Sequence, residues 1–334
     1  MKRVAVAGNL ILDVMKRIES FPQIGMLANI GETSYAVGGC VCNTAIDLKR
    51  LCPDFEVSAF GKVGDDDYAR YILSALAEAG LNTSNVKKGT LPTSYTDVMT
   101  LSGGERTFFH FKGANSEFGI GDARAENADL FHLGYLLLLD ALDAADKEYG
   151  TAAARLLAET QARGIETSID LVSAQTADFN AVVKPALRFC DYVVMNEVEG
   201  GMLAGVDPRG ADGAPILKNL RRICEVLIDT GVKRSVTIHC PELSCALDST
   251  GRFSVLSSLN LPKGYIVGTV GAGDAFCAGM LYSFCERLPL EEGMRMASCA
   301  AACNLAAIDS VSGAKGLEES LSLEKIYGRR KMIC

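Results

Sequence analysis

Short apolar segments that stop at a glycine, a polar side chain or a carboxylate alternate along this chain with stretches of helical periodicity. That alternation is the tightest constraint on what the chain can fold into. VAVAGNLILDV closes its first apolar run at Gly8-Asn9 and carries a carboxylate at Asp13. EVSAFGKVG ends at Gly64, before the helical stretch DDDYARYILSALAEAG. Later strands are expected over Leu130 to Leu136, Glu166 to Asp170, Tyr192 to Met195 and Ser235 to His239. Helical patterns over Thr151 to Gly164 and Ala214 to Thr230 lie between them. Strands joined through helices run parallel, and a parallel sheet needs helices on both faces. Ligands gather at the carboxyl ends of such strands. Asn9, Gly64, Asp170, Asn196 and His239 all fall there, so motifs far apart in the chain can converge.

Two segments interrupt the alternation. Ile18 to Val37 is an irregular mixture of polar and apolar residues containing Pro22 and Gly25. Thr93 to Phe111 reads as two strands joined by the turn Leu101-Ser102-Gly103-Gly104, the pattern of a hairpin. No internal repeat, low-complexity tract or flexible linker divides the 334 residues, so one α/β domain over 1–334 is the expected organisation.

Composition narrows the classes of function. A net charge of −8 argues against a nucleic-acid or anionic-membrane surface, although backbone amides and a metal ion can still meet a phosphorylated ligand. The longest apolar run, Leu133 to Leu139, is far short of the ~20 residues of a membrane span. The start, MKRVAVAGNLILDV, lacks the features of a signal peptide, so a cytoplasmic location with reduced thiols is expected. The 12 cysteines form no C-x-x-C pair, and no histidine lies at zinc-site spacing from the closest pairs, Cys40/Cys42 and Cys299/Cys303, so structural or incidental thiols are expected.

The chemistry concentrates in GTVGAGDAFCAGMLYSF, residues 268–284. Gly271 and Gly273 let the main chain approach an anion closely, and the apolar residues after Asp274 have helical spacing. Backbone amides and one carboxylate thus meet at a helix start, where the dipole favours negative charge. Read alone, this is either a phosphate cradle with a base or a helix start with an aspartate near its cap. No Walker P-loop is present.

GTVGAGDAFCAG resembles the C-terminal signature of the ribokinase-like (PfkB) carbohydrate kinases, D-T-x-G-A-G-D-x-F. VGGCVCNTA at 37–45 resembles that family's G-G-x-x-x-N sugar-binding turn. GKVGDDDYAR (61–70) and MNEVE (195–199) follow in family order, and the resemblance runs from about Val4 to Gly316. It implies a central mostly parallel sheet with helices on both faces and a small β-sheet lid, built here from segments of about 15–37 and 93–112. It further implies an ATP-dependent kinase acting on a hydroxyl, primary by expectation, of a monosaccharide or sugar derivative. Asp274 would be the general base, with the Gly271, Ala272 and Gly273 amides as anion hole.

Other roles follow from the same resemblance. Asn9, Asp13, Gly38, Gly39 and Asn43 correspond to sugar contacts, and Asn196 and Glu199 to the element that organises Mg²⁺ largely through water. The nucleotide side would comprise Asn196, His239, Ser244, Gly273, Asn304 and Gly313. Period-2 alternation in RTFFHFKGAN puts Arg106, Phe108, His110 and Lys112 on one face. There His110 and Lys112 take the places of acidic-sugar contacts, or Lys112 is part of a solvated lid face. A nucleoside kinase of the same fold, or a weakly catalytic sugar sensor, uses the same residues. Pairing of lid edges would give a homodimer.

The sequence departs from the family in two places. Gly268 stands where an aspartate usually opens the signature, which points to loss of an activating monovalent-cation site. In IHCPELSCALD, residues 238–248, His239 takes a threonine's place and Pro241 and Ser244 replace glycines. His239 either approaches a phosphate or serves as a local hydrogen-bond partner.

Overall fold

The computed structural model describes residues 1–172 and 179–331. Strand β1 (Arg3–Gly8) is followed by β2 (Ile11–Ile18), β3 (Ile30–Gly38), helix α1 (Cys40–Leu51), β4 (Glu56–Val63), α2 (Asp67–Glu78) and β5 (Asn82–Lys88). Next come β6 (Tyr95–Thr100), β7 (Arg106–Phe111), β8 (Leu130–Leu136), α3 (Asp140–Asp143), the short pair β9 (Ala145–Asp146) and β10 (Gly150–Thr151), and α4 (Ala152–Ala162). The second half contains β11 (Glu166–Leu171), α5 (Phe179–Leu187), β12 (Tyr192–Asn196), α6 (Glu197–Ala204), α7 (Leu217–Thr230) and β13 (Ser235–His239). The hairpin partners β14 (Leu243–Asp248) and β15 (Phe253–Ser257) and helices α8 (Ala272–Glu286), α9 (Leu290–Leu305) and α10 (Leu317–Tyr327) complete it.

The large sheet has the order β15-β14-β13-β12-β11-β8-β1-β4-β5. Pairing from β13 through to β5 is parallel, and only the β13-β14 and β14-β15 pairs are antiparallel. Strand periodicity divides the core into two layers. Val4 and Val6 of β1 face a cluster containing Ile46 of α1, Ile72 of α2, Met280 of α8 and Met294 of α9. Ala5 and Ala7 face the opposite cluster, with Leu156 of α4, Val183 of α5, Leu203 of α6 and Ile223 of α7. Helix α8 lies close against α9 because Gly279 has no side chain; a Cβ there would stand 2.5 Å from the Cα of Ala297.

The two interrupting segments form a separate sheet of order β3-β2-β6-β7, which begins at Ile11 rather than near residue 15. The β6–β7 hairpin closes as expected, with the Leu101 amide bonded to the Glu105 carbonyl at 2.9 Å and Gly104 at φ +94°. The segment read as irregular contains β3, whose first six residues are exposed and therefore show no strand alternation.

Strand ends at the site depend on glycine. Gly8 has φ +134°, and a Cβ on it would lie 1.7 Å from the Gly134 carbonyl oxygen of neighbouring β8. No side-chain motion relieves a clash with backbone. Gly8→Ala should therefore destabilise the protein by about 3 kcal/mol or more in chemical denaturation, with the far-UV signal of any folded fraction unchanged. A variant as stable as the parent would show that the β1–β8 approach is not rigid.

Candidate active site

Helix α8 starts at Gly271, whose φ of +80° turns the chain sharply beside Ser310. Its first turn carries Asp274, 7% exposed. The first-turn amides of a helix lack intrahelical acceptors, so this end presents donors and a positive dipole end to the space before it. The Asp274 carboxylate is held by three side chains from two elements. Asn43 of α1 donates to Oδ2 at 3.0 Å, Thr44 donates to Oδ1 at 3.3 Å, and the Tyr135 hydroxyl of β8 donates to Oδ1 at 2.5 Å. Burial raises its pKa above the usual carboxylate value, against the opposing pull of these three donors.

Asp13 of β2 faces the same space. Burial, and then the nearby Asp274 charge, push its pKa up to about 7, while Thr96 and Arg106 act in the other direction. It can come close because Gly38 is bare; a Cβ there would sit 2.5 Å from its Oδ2. Gly39, with φ +82°, begins α1 and packs on the Asn9 carbonyl. Asn9 is fully buried, accepts the Tyr135 amide through Oδ1, and leaves its Nδ2 without a partner. Across the small sheet, Asp13, Thr96 and His110 are register neighbours, and His110 Nδ1 lies 2.9 Å from Thr96 Oγ1. Asp13, Arg106 and Phe108 line a small cleft with Val270 and Ile308.

On the other side of the 270–273 turn lies a cavity of about 550 Å³. Ala272, Gly273, Asn196, His239 and Ser244 meet apolar residues there, including Leu261, Ile266 and Leu305. The antiparallel β13–β14 register sets His239 opposite Ser244, whose buried hydroxyl has no partner. Burial lowers the His239 pKa to about 4, and its ring leans on Phe276 with centroids 4.8 Å apart. Asn196 caps α6, and it exchanges hydrogen bonds with Glu199: Glu199 N–H to Asn196 Oδ1 at 2.9 Å, and Asn196 N–H to Glu199 Oε2 at 3.2 Å.

The description "pfkB family carbohydrate kinase" matches residues 1–314. The chain belongs to that family. It is accordingly a phosphotransferase with an alcohol group as acceptor. A ribokinase of Schizosaccharomyces pombe is 24% identical over 343 residues, covering 99% of both chains. An adenosine kinase of Schizophyllum commune is 28% identical, covering 75% of this chain and 73% of its own. The structure of Arabidopsis thaliana ribokinase complexed with ribose and ATP superposes with a TM-score of 0.81 at 20% identity, over 97% of this chain and 99% of that one.

This pfkB-family kinase brings Asn9, Asp13, Gly38, Gly39 and Asn43 together beside Asp274. Lys112 instead pairs with Asp140. Asn304 is buried away from the large cavity and donates to the Ser310 carbonyl, with Gly313 packed on its backbone. Gly268 has no room for a side chain, since a Cβ would meet the Ala307 carbonyl at 2.5 Å. Glu197, given no role by the sequence, forms an ion pair with Arg209 at 2.6 Å. Sequence reasoning missed four site residues. Tyr135 was hidden in an apolar run, and Asp170 was recognised only as a strand end. Arg106 was placed on the right face without a role, and Arg330 at the cavity rim carried no signal.

Asp13 has a consequence for stability. Its folded-state pKa of about 7 exceeds the ordinary 3.8, so its contribution is full below pH 4 and is lost as pH rises toward 7. Asp13→Asn should therefore raise the melting temperature by a few degrees at pH 8 and change it little at pH 4. Equal effects at both pH values would place Asp13 in a solvated setting.

Proposed function

We propose that this kinase transfers the γ-phosphoryl group of ATP to a hydroxyl, primary by preference, of a monosaccharide or sugar derivative. The observation that carries the proposal is the position of the 270–273 turn, which contributes Val270 to the cleft with Asp13 and Ala272 and Gly273 to the larger cavity. Asp274 follows directly on this partition. An acceptor on the Asp13 side and a triphosphate on the other would meet at the α8 N-terminus, where in-line transfer needs them. The volume of the larger cavity falls within the usual range for small-molecule sites, and its apolar wall suits a nucleotide base. The ribose and ATP of the related Arabidopsis structure make those compounds the first probes.

In this reading Asp274 takes the proton of the acceptor hydroxyl as the new bond to phosphorus forms. The Gly271, Ala272 and Gly273 amides stabilise charge on the transferring oxygens without reorganising. Asp13 and Asn43 orient the acceptor, and the small sheet above them excludes water, a competing acceptor. Oxygen donors at Asn196 and Glu199 fit Mg²⁺, which retains much of its water shell. Asp170 supports the same fit, because burial and the neighbouring Asp274 and Glu199 charges raise its pKa well above normal. Mg²⁺ there would neutralise charge on the phosphates.

Adenosine is the competing acceptor, supported by the adenosine kinase relative. Turnover of ATP with D-ribose, D-fructose and adenosine separates the two readings. With the accepted substrate, Asp274→Asn should lose at least ~10²-fold in kcat while binding the acceptor normally by calorimetry. Near-normal turnover would remove Asp274 as base. Because Gly268 supplies no carboxylate, exchanging K⁺ for tetramethylammonium should leave turnover unchanged, and a large loss would reveal a working cation site elsewhere.

A further inference from the structure

The two oxygens of Asp274 are not equivalent. A carboxylate oxygen has two lone-pair directions. Among side-chain donors, Tyr135 and Thr44 take those of Oδ1, whereas Asn43 alone reaches Oδ2. The Asn43 amide cannot turn over without loss, because its Oδ1 would then face the Asp274 carboxylate; in the present orientation Oδ1 and the Val37 carbonyl share the Ser310 hydroxyl at 2.8 and 2.9 Å. Tyr135 is fixed from behind as well: its amide is bonded to the Asn9 side chain, and the Asn9 amide to the Gly134 carbonyl at 3.0 Å. Burial and the Asp274 charge raise the Tyr135 pKa far above normal, so the phenol remains a donor.

We infer that Tyr135 is a positioning residue that reserves Asp274 Oδ1, so that the acceptor hydroxyl delivers its proton to Oδ2. The inference rests on the proposed role of Asp274 as base. In the transfer, the acceptor O–H bond breaks and its proton passes to Oδ2 while the new O–P bond forms. The bond from the γ-phosphorus to the bridging oxygen breaks, and its electron pair leaves with ADP. Tyr135 keeps its proton throughout. It determines which oxygen reacts, and by stabilising the carboxylate it keeps Asp274 ionised at lower pH.

The groups facing Asp274 make this measurable. Asp13 from β2, Asp47 from α1 and Asp170 from β11 are carboxylates, and Cys40 of α1 and Cys277 of α8 are buried thiols. All persist in a Tyr135→Phe variant, so a change in titration reports the lost hydroxyl. With ATP and D-ribose, or with whichever of D-fructose and adenosine is the better acceptor, Tyr135→Phe should lose about tenfold in kcat/KM on the acid limb. At the alkaline plateau, where Asp274 is ionised in both proteins, the loss should be smaller than on the acid limb. Carboxyl-¹³C aspartate NMR of the free protein gives a readout independent of turnover. The Asp274 signal, assigned by its loss in Asp274→Asn, should titrate at higher pH in Tyr135→Phe.

An unchanged pH profile and an unchanged Asp274 signal would overturn the inference while leaving Asp274 as base. Full activity of Asp274→Asn would instead overturn the underlying reading, whatever Tyr135→Phe does. If the phenylalanine variant does not fold, Tyr135→Leu replaces it: loss of the Oδ1 donor should give the same acid-limb loss, and an unshifted limb would overturn the inference.

Discussion

Carboxylates brought together out of water are the costly feature around which this site is built. Asp13, Asp170 and Asp274 converge from β2, β11 and α8, and each has a raised pKa whose leading cause is burial. Arg106 is the cation acting on Asp13, while among the described residues no basic side chain is a leading influence on Asp170 or Asp274. Neutral donors hold them instead: Thr96 on Asp13, the Leu171 amide on Asp170, and Asn43, Thr44 and Tyr135 on Asp274. Such an arrangement opposes folding, and the large two-layer core has to offset it. In the proposed function, hydroxyl donors and a divalent cation would supply the missing positive character.

The backbone makes that convergence possible. Gly8, Gly38, Gly39 and Gly271 stand where any Cβ would collide with a carbonyl, a carboxylate or a neighbouring loop. Three of them also have positive φ. The glycine motifs therefore serve two purposes: they open space for ligand, and they allow strand ends, α1 and α8 to approach within hydrogen-bonding distance of one another.

Local pattern revealed the elements whose burial is one-sided or complete. Strand β13 was legible from Ser235 to His239, and β8, β11 and β12 within a residue or so, because buried parallel strands are continuous apolar runs. Strand β5, NTSNVKK, was not legible: it is a polar edge strand without a hydrophobic period. Strand β14 follows β13 after the tight turn closed by the Cys240 amide and the Leu243 carbonyl, and the sequence carried no expectation of a strand there. Asp274, Asn43 and the glycine turns were visible as motifs. Tyr135 was not, since its partner lies 139 residues away and nothing in an apolar run marks one hydroxyl as directed at a carboxylate.

The larger cavity constrains how phosphate charge can be met. His239 lies beside Gly273, but burial leaves its ring neutral near pH 7, so it can offer a hydrogen bond and no charge. Ser244 contributes a neutral hydroxyl, and Arg330 is the cationic side chain on the lining. A triphosphate carries more negative charge than one arginine balances. In the proposed function the remainder would fall on the α8 amides, the helix dipole and a divalent ion near Glu199. The amides do not titrate, and a proposed ion would arrive with the nucleotide. A protein of net charge −8 can thus bind a polyanion without a basic patch, provided that the turn before Asp274 keeps its glycines.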